Sequence, residues 1–153
     1  YKTLTVINIS SHVHNDYKIE NLYSNFENIR QLSSWDKYKL SKLYLTTITL
    51  FLSKLKYSKK IYFVSYDPGR MSSNFGSDSP IIIKYLIKIY LKLIGHNPKK
   101  ISEIIYKKVL KKKIRTGTHM INGKNAMPNI KALDKKFQKK LFFISKRFLN
   151  VNF

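Results

Sequence analysis

The sequence predicts an α/β fold built around a parallel sheet, and three observations support this class. Two short segments, residues 3–9 and 61–66, are rich in the β-branched and aromatic residues that favour strands. The long segment between them repeats apolar residues every three or four positions, which is typical of an amphipathic helix. A strand, a helix and a strand in this order form a βαβ unit, whose strands pair in parallel through a right-handed connection.

The first strand, residues 3–9, is largely apolar along its length. Such a run is typical of a parallel strand that is covered on both faces, so we expect a buried position. Ser10 and Ser11 end this strand. The polar, Asn-rich segment 15–31 that follows has the composition of a surface loop, with room for one helical turn.

The helix between the strands is predicted to cover residues 33–57. Ser33 or Ser34 can cap its N-terminus, and Asp36 is favourable in its first turn. The positions that define its buried side keep steps of three and four. They are Leu40, Leu43, Tyr44, Thr47, Leu50, Phe51 and Leu55.

The second half of the sequence predicts three more helices and one short strand. Pro68 and Gly69 stop the second strand, and Pro98 is suited to the first turn of a helix. In chain order the further elements are a loop at 70–79, helices at 81–94 and 98–112, a short last strand at 119–121 and a basic helix at 131–150. The stripe predicted to pack in the last helix is Leu133, Phe137, Leu141, Ile144 and Phe148.

Together these elements predict an α/β domain, or a piece of one, built around a parallel sheet. The 153 residues make one domain or a large piece of one, and 43% of them are hydrophobic, which is enough for a core. The chain starts with Tyr1 and enters a strand almost at once, so we expect it to be the C-terminal part of a longer protein. The glycine-rich turn that binds a dinucleotide in the first half of such sheets is absent from the sequence.

The net charge of +22 would ordinarily indicate nucleic acid or an anionic membrane as a partner. The basic residues are 26 Lys and 4 Arg, however, whereas forked contacts to bases and phosphates favour Arg. Lys is in excess together with Ile, Asn, Tyr and Phe, whose codons are rich in A and T, so a nucleotide-composition bias explains the set. We therefore predict no nucleic-acid partner, and keep a basic nucleic-acid-binding domain as the less favoured alternative. The absence of Cys excludes disulfides and a thiol nucleophile.

A Tyr and a Lys four residues apart, Tyr38 and Lys42, lie inside the predicted long helix. Chance alone would give roughly two such pairs in a chain of this composition, so the pattern by itself means little. Tyr38 and Lys42 are significant because they lie between the two predicted strands. A carbonyl that receives a hydride needs a hydrogen-bond donor and then a proton, which a Ser hydroxyl and a Tyr phenol can supply. A Lys one helical turn away lies on the same face and favours the phenolate.

Four segments of the sequence resemble the short-chain dehydrogenase/reductase family, and within it the retinol-dehydrogenase-like branch. They are INISSHVH, WDKYKLSKLYLTTITLFLSKL, VSYDPGRMSSNF and RTGTHMINGK, and the resemblance extends over nearly all 153 residues. It implies the second half of a doubly wound parallel sheet (Rossmann-like) that lacks the N-terminal dinucleotide-binding half. It also implies an enzyme, an NAD(P)-dependent oxidoreductase. The implied reaction interconverts an alcohol and a carbonyl on an apolar substrate such as a retinoid, a steroid or another lipid.

The resemblance makes residues 1–153 the C-terminal catalytic portion of one such domain. Its parts in chain order are the strand with the catalytic Ser (1–11), the active-site helix (33–57), the next strand (61–69), the substrate loop and lid helices (70–112), and the last strand with the C-terminal helix (113–153).

The resemblance also implies the roles of single residues. Ser11 corresponds to the catalytic Ser, with Ser10 the less favoured choice, and Tyr38 to the general acid and base. Lys42 corresponds to the cation that supports Tyr38 and binds the nicotinamide ribose. The full set of implied cofactor-binding residues is Tyr38, Lys42, Pro68, Gly69, Met71 and Ser73.

The sequence departs from the family pattern at several points. Asp67 precedes Pro68 and Gly69, where this branch usually has His. The Asn-Asn-Ala-Gly stretch is absent, and the upstream catalytic Asn with it. We therefore expect the chain alone to bind no nicotinamide cofactor and to be inactive without the missing half. A non-catalytic remnant or binding module is the main alternative. NADP is slightly favoured over NAD, although the residues that read the ribose 2′ position would lie upstream.

The helix at 81–94 is apolar apart from a row formed by Lys84, Lys88 and Lys92. It is expected to be either a lid over an apolar substrate or an interfacial helix in peripheral contact with a membrane. It is too short and too charged to span a bilayer. The protein is accordingly expected at a membrane such as the endoplasmic reticulum or in the cytoplasm, and a homodimer through the active-site helices fits the family.

Two histidines follow the first strand at alternate positions, His12 and His14. An extended chain would place both on one side, but no third ligand is evident nearby, so we predict no metal site. His14 is instead expected to pack beside the active-site loop.

Overall fold

The computed structural model describes residues 4–17, 29–55, 60–70, 81–111 and 114–150. Over these ranges the protein is an α/β fold with one four-stranded, mostly parallel sheet, which confirms the predicted class and is consistent with part of a Rossmann-like fold. The strands are β1 (Leu4–Ile9), β2 (Ile61–Asp67), β3 (Thr118–Ile121) and β4 (Lys124–Asn125). The helices are α1 (Ser34–Leu52), α2 (Ile81–Ile94), α3 (Pro98–Ile105), α4 (Ile130–Leu133) and α5 (Lys135–Leu149).

The sheet has the strand order β1-β2-β3-β4, and its first three strands run parallel. Ile7 is in register with Val64, and Val64 with Thr118, so the carboxyl ends of the three strands meet at one edge. The first strand is less buried than expected: its four inner residues are half-buried, and its end residues Leu4 and Ile9 are 59% and 40% exposed. Within the described residues β1 lies at the edge of the sheet.

Strand β4 was not predicted from the sequence. It pairs antiparallel with β3 across a two-residue turn formed by Asn122 and Gly123. Both turn residues have positive φ, 49° and 76°, which is the geometry of a tight hairpin turn. The Asn-Gly pair is the sequence signal for such a turn, so this strand could have been found.

Helix α1 begins where the sequence predicts but ends five residues earlier. Ser33 is its N-cap, and the Ser33 hydroxyl accepts a hydrogen bond from the Asp36 N–H at 3.1 Å. The last helical residue is Leu52 rather than residue 57. The Ser53 hydroxyl donates to the Leu50 carbonyl at 2.7 Å, and Gly117 packs so closely that a Cβ there would lie 2.6 Å from Ser53 Oγ. Residues 56 and 57 fall outside the described ranges.

The two faces of the sheet differ in chemistry. On one face Val64, Tyr66 and Met120 pack with Ile101 of α3 and with Val109 in an apolar cluster. Because side chains alternate along a strand, the opposite face carries Asn8 and Ser65, and this face meets α1. The helix that bears the predicted site therefore rests on polar side chains.

The last predicted helix is two helices, which corrects the expected single helix at 131–150. The break is at Asp134, whose backbone is extended with ψ 115°. Asp134 Oδ1 accepts from the Lys136 and Phe137 N–H groups at 2.8 and 3.1 Å and so caps α5. These hydrogen bonds, the one from Phe137 first, lower the pKa of Asp134. The predicted stripe is confirmed for Phe137 and Leu141, which are buried; Ile144 is half-buried, and Leu133 and Phe148 are exposed.

The two middle helices lie close to their predicted positions. Helix α2 has the predicted bounds, and α3 begins at Pro98 with Asn97 as its N-cap. The predicted stretch to residue 112 continues beyond α3 as a π-helical turn, Tyr106–Leu110. In the part of the chain that the structure describes, no helix has the length and apolar character needed to cross a bilayer.

Candidate active site

Lys42 connects helix α1 to the end of β1. Its ammonium donates a hydrogen bond to the Ile9 carbonyl at 3.0 Å. The same Nζ lies 5.6 Å from the centroid of the Tyr38 ring, one helical turn away. The Tyr38 ring in turn stacks on Trp35, with centroids 5.5 Å apart and planes inclined by 21°. The structure thus brings Tyr38 and Lys42 together, next to the strand end that carries the two serines.

Ser10 and Ser11 have different environments. Ser10 is 2% exposed, and its hydroxyl lies 2.6 Å from Thr46 Oγ1 and 3.3 Å from the Lys42 carbonyl oxygen. Ser11 is half-buried and extended, with φ −157° and ψ 145°. Because successive side chains of extended backbone point in opposite directions, Ser11 does not share the position of Ser10 between sheet and helix. Ser10 is therefore held between the sheet and α1, and Ser11 is the more exposed of the two serines.

A chain of buried hydroxyl and imidazole groups continues from Ser10 beneath α1. Thr46 Oγ1 lies 3.2 Å from Ser65 Oγ, which lies 3.0 Å from His119 Nδ1. His119 Nε2 is buried without a hydrogen-bond partner among the described residues. Burial, assisted by the neighbouring His14, lowers the pKa of His119 to about 4. His119 gave no signal in the sequence, since a lone His is compatible with any position.

His14 is fully buried directly after the strand end, as expected for a residue packed beside the active-site loop. Its Nδ1 contacts the Ser11 carbonyl oxygen, and its Nε2 faces the Asn129 N–H at 3.3 Å. The ring meets the His119 ring edge-on, with centroids 5.3 Å apart. Burial lowers the pKa of His14, so the neutral ring is the favoured form.

Asp67 is the residue that departs from the family pattern, and it ties two strand ends together. It is fully buried, and its Oδ2 accepts from the His12 N–H at 2.7 Å and lies 3.2 Å from His12 Nδ1. Its Oδ1 accepts from the Gly69 N–H at 2.7 Å. A carboxylate with four lone-pair sites can serve these donors at once. The link between the ends of β1 and β2 was not predicted from the sequence.

A cleft of about 400 Å³ lies at the carboxyl edge of the sheet. This volume is at the lower end of the range for small-molecule sites, about 300–1,000 Å³, and suits part of a dinucleotide rather than all of it. None of Ser11, Tyr38 and Lys42 lines the cleft, although one lining residue, His12, follows Ser11 in the chain. The lining residues are His12, Gly69, Arg70, His96, Ile121 and Asn122.

The residues predicted to hold the nicotinamide are only partly described. Gly69 lines the cleft, and Pro68 before it is buried. Gly69 has φ +71°, and a Cβ there would lie 2.6 Å from Asn122 Oδ1, so the packing of Asn122 already requires glycine. Met71 and Ser73 lie outside the described residues. Of the residues that the resemblance assigns to the nicotinamide, the described structure places Gly69 at the cleft.

Comparisons with known proteins bear on both the sequence and the fold. No protein-family model matches the sequence. A protein of Arthrobotrys oligospora named as a short chain dehydrogenase is 31% identical over an alignment of 127 residues. The match covers 80% of this chain and 39% of that protein. The crystal structure of an uncharacterized protein from Mycobacterium paratuberculosis has a similar fold, with a TM-score of 0.61 and 17% sequence identity. The match covers 99% of this chain and 52% of the solved chain.

The sequence is thus related to a short-chain dehydrogenase at low identity, and the fold is one found among solved structures. The chain spans 39% of the length of its curated relative and about half of the matching solved chain, 52%.

Proposed function

We propose that this chain forms the Ser-Tyr-Lys portion of an NAD(P)-dependent short-chain dehydrogenase/reductase that interconverts an alcohol and a carbonyl. The observation that carries the proposal is Lys42, which is held between the Tyr38 ring and the Ile9 carbonyl at the end of β1. This contact fixes the helix that bears Tyr38 against the strand end that bears Ser11. The relationship to a named short chain dehydrogenase supports the same reaction class.

Each of the three residues has a step that suits its chemistry. The Ser11 hydroxyl donates a hydrogen bond to the reacting oxygen, where negative charge develops. The Tyr38 phenol gives that oxygen its proton, or takes the proton in the reverse direction. The Lys42 ammonium lies beside the Tyr38 ring, and because it has three N–H donors it can bind a ribose hydroxyl in addition to its bond to Ile9. A bound nicotinamide would supply or accept the hydride.

The proposal makes residues 1–153 the catalytic portion of a larger domain. The glycine-rich turn that cradles a dinucleotide is missing from the sequence, and the relative is more than twice as long as the matched region. The chain alone would then lack the parts that bind the adenosine end, and we expect it to be inactive by itself.

Finer features rest on the resemblance alone. They are the retinol-dehydrogenase-like branch, an apolar substrate such as a retinoid or steroid, a slight preference for NADP over NAD, and pairing of two copies through α1. Each has a direct readout in the purified enzyme: the substrate panel, the cofactor panel and the mass in solution.

Peripheral membrane contact through α2 is part of the proposal. Among the side chains of this helix that the structure describes, six apolar ones are exposed: Ile81, Ile82, Tyr85, Leu86, Ile89 and Tyr90. Lys84, Lys88 and Lys92 form a row along one border of this apolar face. An apolar face bordered by Lys matches the acyl boundary and head groups of an anionic bilayer.

Liposome co-sedimentation with anionic vesicles tests this contact. An Ile82→Glu and Ile89→Glu double variant is expected to lose binding because a carboxylate in the interface disfavours insertion. Ile130→Glu on α4 is the matched control, since Ile130 is equally exposed outside α2. Equal binding by all three proteins, or none by the unaltered protein, would remove the membrane contact.

The experiment for the whole proposal starts with the coding sequence upstream of Tyr1. The complete protein is expressed and assayed with NADPH and NADH against retinal, steroid ketones and lipid aldehydes. Tyr38→Phe should lose nearly all turnover while cofactor affinity stays close to normal, because only the proton donor is removed. Tyr106→Phe removes a hydroxyl from an exposed tyrosine on the other side of the sheet, and it should keep full activity.

The outcomes separate the candidate functions. Retained turnover in Tyr38→Phe contradicts the assignment of the proton donor. A complete protein with no glycine-rich turn and no turnover would identify a non-catalytic remnant or binding module. Steeply salt-dependent binding to RNA or DNA would favour the basic nucleic-acid-binding alternative.

A further inference from the structure

The peptide group between Ser11 and His12 is held at both of its polar ends. Its carbonyl oxygen, on Ser11, contacts His14 Nδ1. Its N–H, on His12, donates to the buried Asp67 carboxylate at 2.7 Å. On the other side of Ser11, the Ser10 N–H donates to the Tyr66 carbonyl at 2.7 Å. The backbone that carries the Ser11 hydroxyl is therefore fixed on both sides.

We propose that His14 is a positioning residue that orients Ser11, and that Asn129 holds His14 in the form that does so. The inference rests on the proposed function, because it assigns His14 a role in presenting the Ser11 hydroxyl to the reacting oxygen. With the backbone fixed, rotation about the Cα–Cβ bond is the main freedom left to that hydroxyl.

The contacts of His14 determine which ring nitrogen carries the proton. The Asn129 backbone N–H can only donate, so His14 Nε2, 3.3 Å away, must accept. The Ser11 carbonyl can only accept, so Nδ1 must carry the hydrogen. These partners select the neutral Nδ1–H tautomer. Full burial of the ring disfavours the charged form as well.

Asn129 engages His14 with two groups. Its backbone N–H faces the ring, and its Nδ2 donates to the His14 carbonyl at 2.9 Å. Its Oδ1 accepts from the Lys131 N–H at 2.9 Å and so caps α4. The side-chain amide of Asn129 is thus bonded at both its nitrogen and its oxygen, the nitrogen to the segment after β1 and the oxygen to the first turn of α4. Through this residue the C-terminal segment fixes the position of Ser11.

The tautomer is tested first, in the isotope-labelled 153-residue chain. Long-range ¹H–¹⁵N correlation of the His rings reports which nitrogen is protonated, and this readout requires no activity. For His14 we expect a neutral ring with the hydrogen on Nδ1 at pH 7. An Nε2–H tautomer or a charged ring would overturn the proposal.

Two variants of the complete enzyme, each of which keeps one of the two polar contacts of His14, then separate a positioning role from a packing role. His14→Asn keeps an amide N–H where Nδ1 lies, so it can still donate to Ser11. His14→Gln keeps a polar group where Nε2 lies, so it can still accept from Asn129. We expect His14→Gln to lose kcat on the order of 10- to 100-fold, since small misplacements at a reacting centre have effects of this size. His14→Asn should retain most of the turnover, with the cofactor Kd unchanged in both.

Asn129→Asp supplies an independent variant. It keeps the oxygen that caps α4 but replaces the donor to the His14 carbonyl with a second oxygen. A lower kcat with an unchanged cofactor Kd is expected. Full turnover in this variant would remove Asn129 from the proposal.

The possible failures are distinguishable. If His14→Gln and His14→Asn have the same kcat, His14 does not position Ser11, even when Tyr38→Phe is inactive. If Tyr38→Phe remains active, the proposed function fails, while the tautomer measurement still reports whether His14 is held as described.

Discussion

Helix α1 has two buried sides that are built from different chemistry. On the side facing α4 and α5, Leu40, Leu43 and Leu50 pack with Ala132 and Phe137 in an apolar cluster. On the side facing the sheet, two threonines make the contacts. Thr46 bonds to Ser10 and Ser65, and Thr49 accepts from Asn8 Nδ2 at 2.8 Å.

The two sides have different consequences for the site. Apolar contacts stabilise a helix through the area they bury and the closeness of their packing, and they require no particular donor–acceptor geometry. Hydrogen bonds between side chains need defined distances and angles. The threonine side therefore fixes the axial position of α1, and with it the place of Tyr38 and Lys42 above the end of β1. The leucine side mainly supplies stability.

The largest expected effect comes from the apolar side. Phe137→Ala should lower the free energy of unfolding by about 3–5 kcal/mol, because Phe137 is fully buried and its removal leaves a cavity. Urea denaturation of the purified chain measures this. Phe148→Ala is the matched control on the same helix: Phe148 is 82% exposed, so a change within about 0.5 kcal/mol is expected. Equal losses would contradict the burial pattern.

The polar side should give a smaller loss of stability. Thr46→Val conserves shape but leaves the Ser10 and Ser65 hydroxyls each short of one partner, which should cost about 1–3 kcal/mol. Thr47→Val is the control, because Thr47 is equally buried but bonds only the Leu43 carbonyl of its own helix at 2.8 Å. A double change, Thr46→Val with Ser10→Ala, should recover part of the loss, because the Ser10 hydroxyl that lost its partner is then removed as well.

The same comparison explains what the sequence could predict. The apolar steps along α1 and the β-branched run of β2 repeat at the helix and strand periods, so composition and spacing suffice to find them. The pairing of Tyr38 and Lys42 follows from helical spacing in the same way. The split of the last helix at Asp134 could not be predicted in this way. The apolar pattern continues through this position, but the Asp134 side chain caps a new helix there.

The polar contacts could not be predicted because they join distant parts of the chain. Asn129 reaches His14 across 115 positions, and Asp67 reaches His12 across 55. Neither pair has a spacing or a composition that marks it. The parallel register of β1 and β2 brings the segments of His12 and Asp67 together, whereas Asn129 comes from the segment after β4. Asp67 did stand out as a departure before Pro68, and its contact with His12 gives that departure a physical reason.

The buried imidazole at the end of the polar side predicts a pH effect. Burial lowers the pKa of His119 to about 4, below the ordinary value near 6.5. Above pH ~6.5 the His is neutral in both states, so its contribution is constant. As the pH falls from ~6.5 to about 4, the unfolded state binds a proton that the folded state does not, so stability decreases.

Urea midpoints between pH 4 and pH 7 measure this dependence. His119→Asn keeps a donor for the Ser65 hydroxyl but does not titrate, so its stability should decrease less over the same range. Parallel profiles of the two proteins would contradict the role of His119. His14 should add to the effect in the same direction, because burial also lowers its pKa.

The smallest expected effect concerns the capping of α5, which bears the apolar side's partner Phe137. Asp134→Ala removes the carboxylate oxygen that accepts from the Lys136 and Phe137 N–H groups, so the free energy of unfolding should fall by about 1 kcal/mol. Asp134→Asn keeps a cap oxygen and should lose less than the Ala variant, although it gives up the favourable charge at the helix start. Because the cap acts on the leucine side, neither variant should move Lys42 relative to the Ile9 carbonyl. A perturbed Tyr38 or Lys42 environment in NMR spectra of Asp134→Ala would show that the two sides of α1 are not independent.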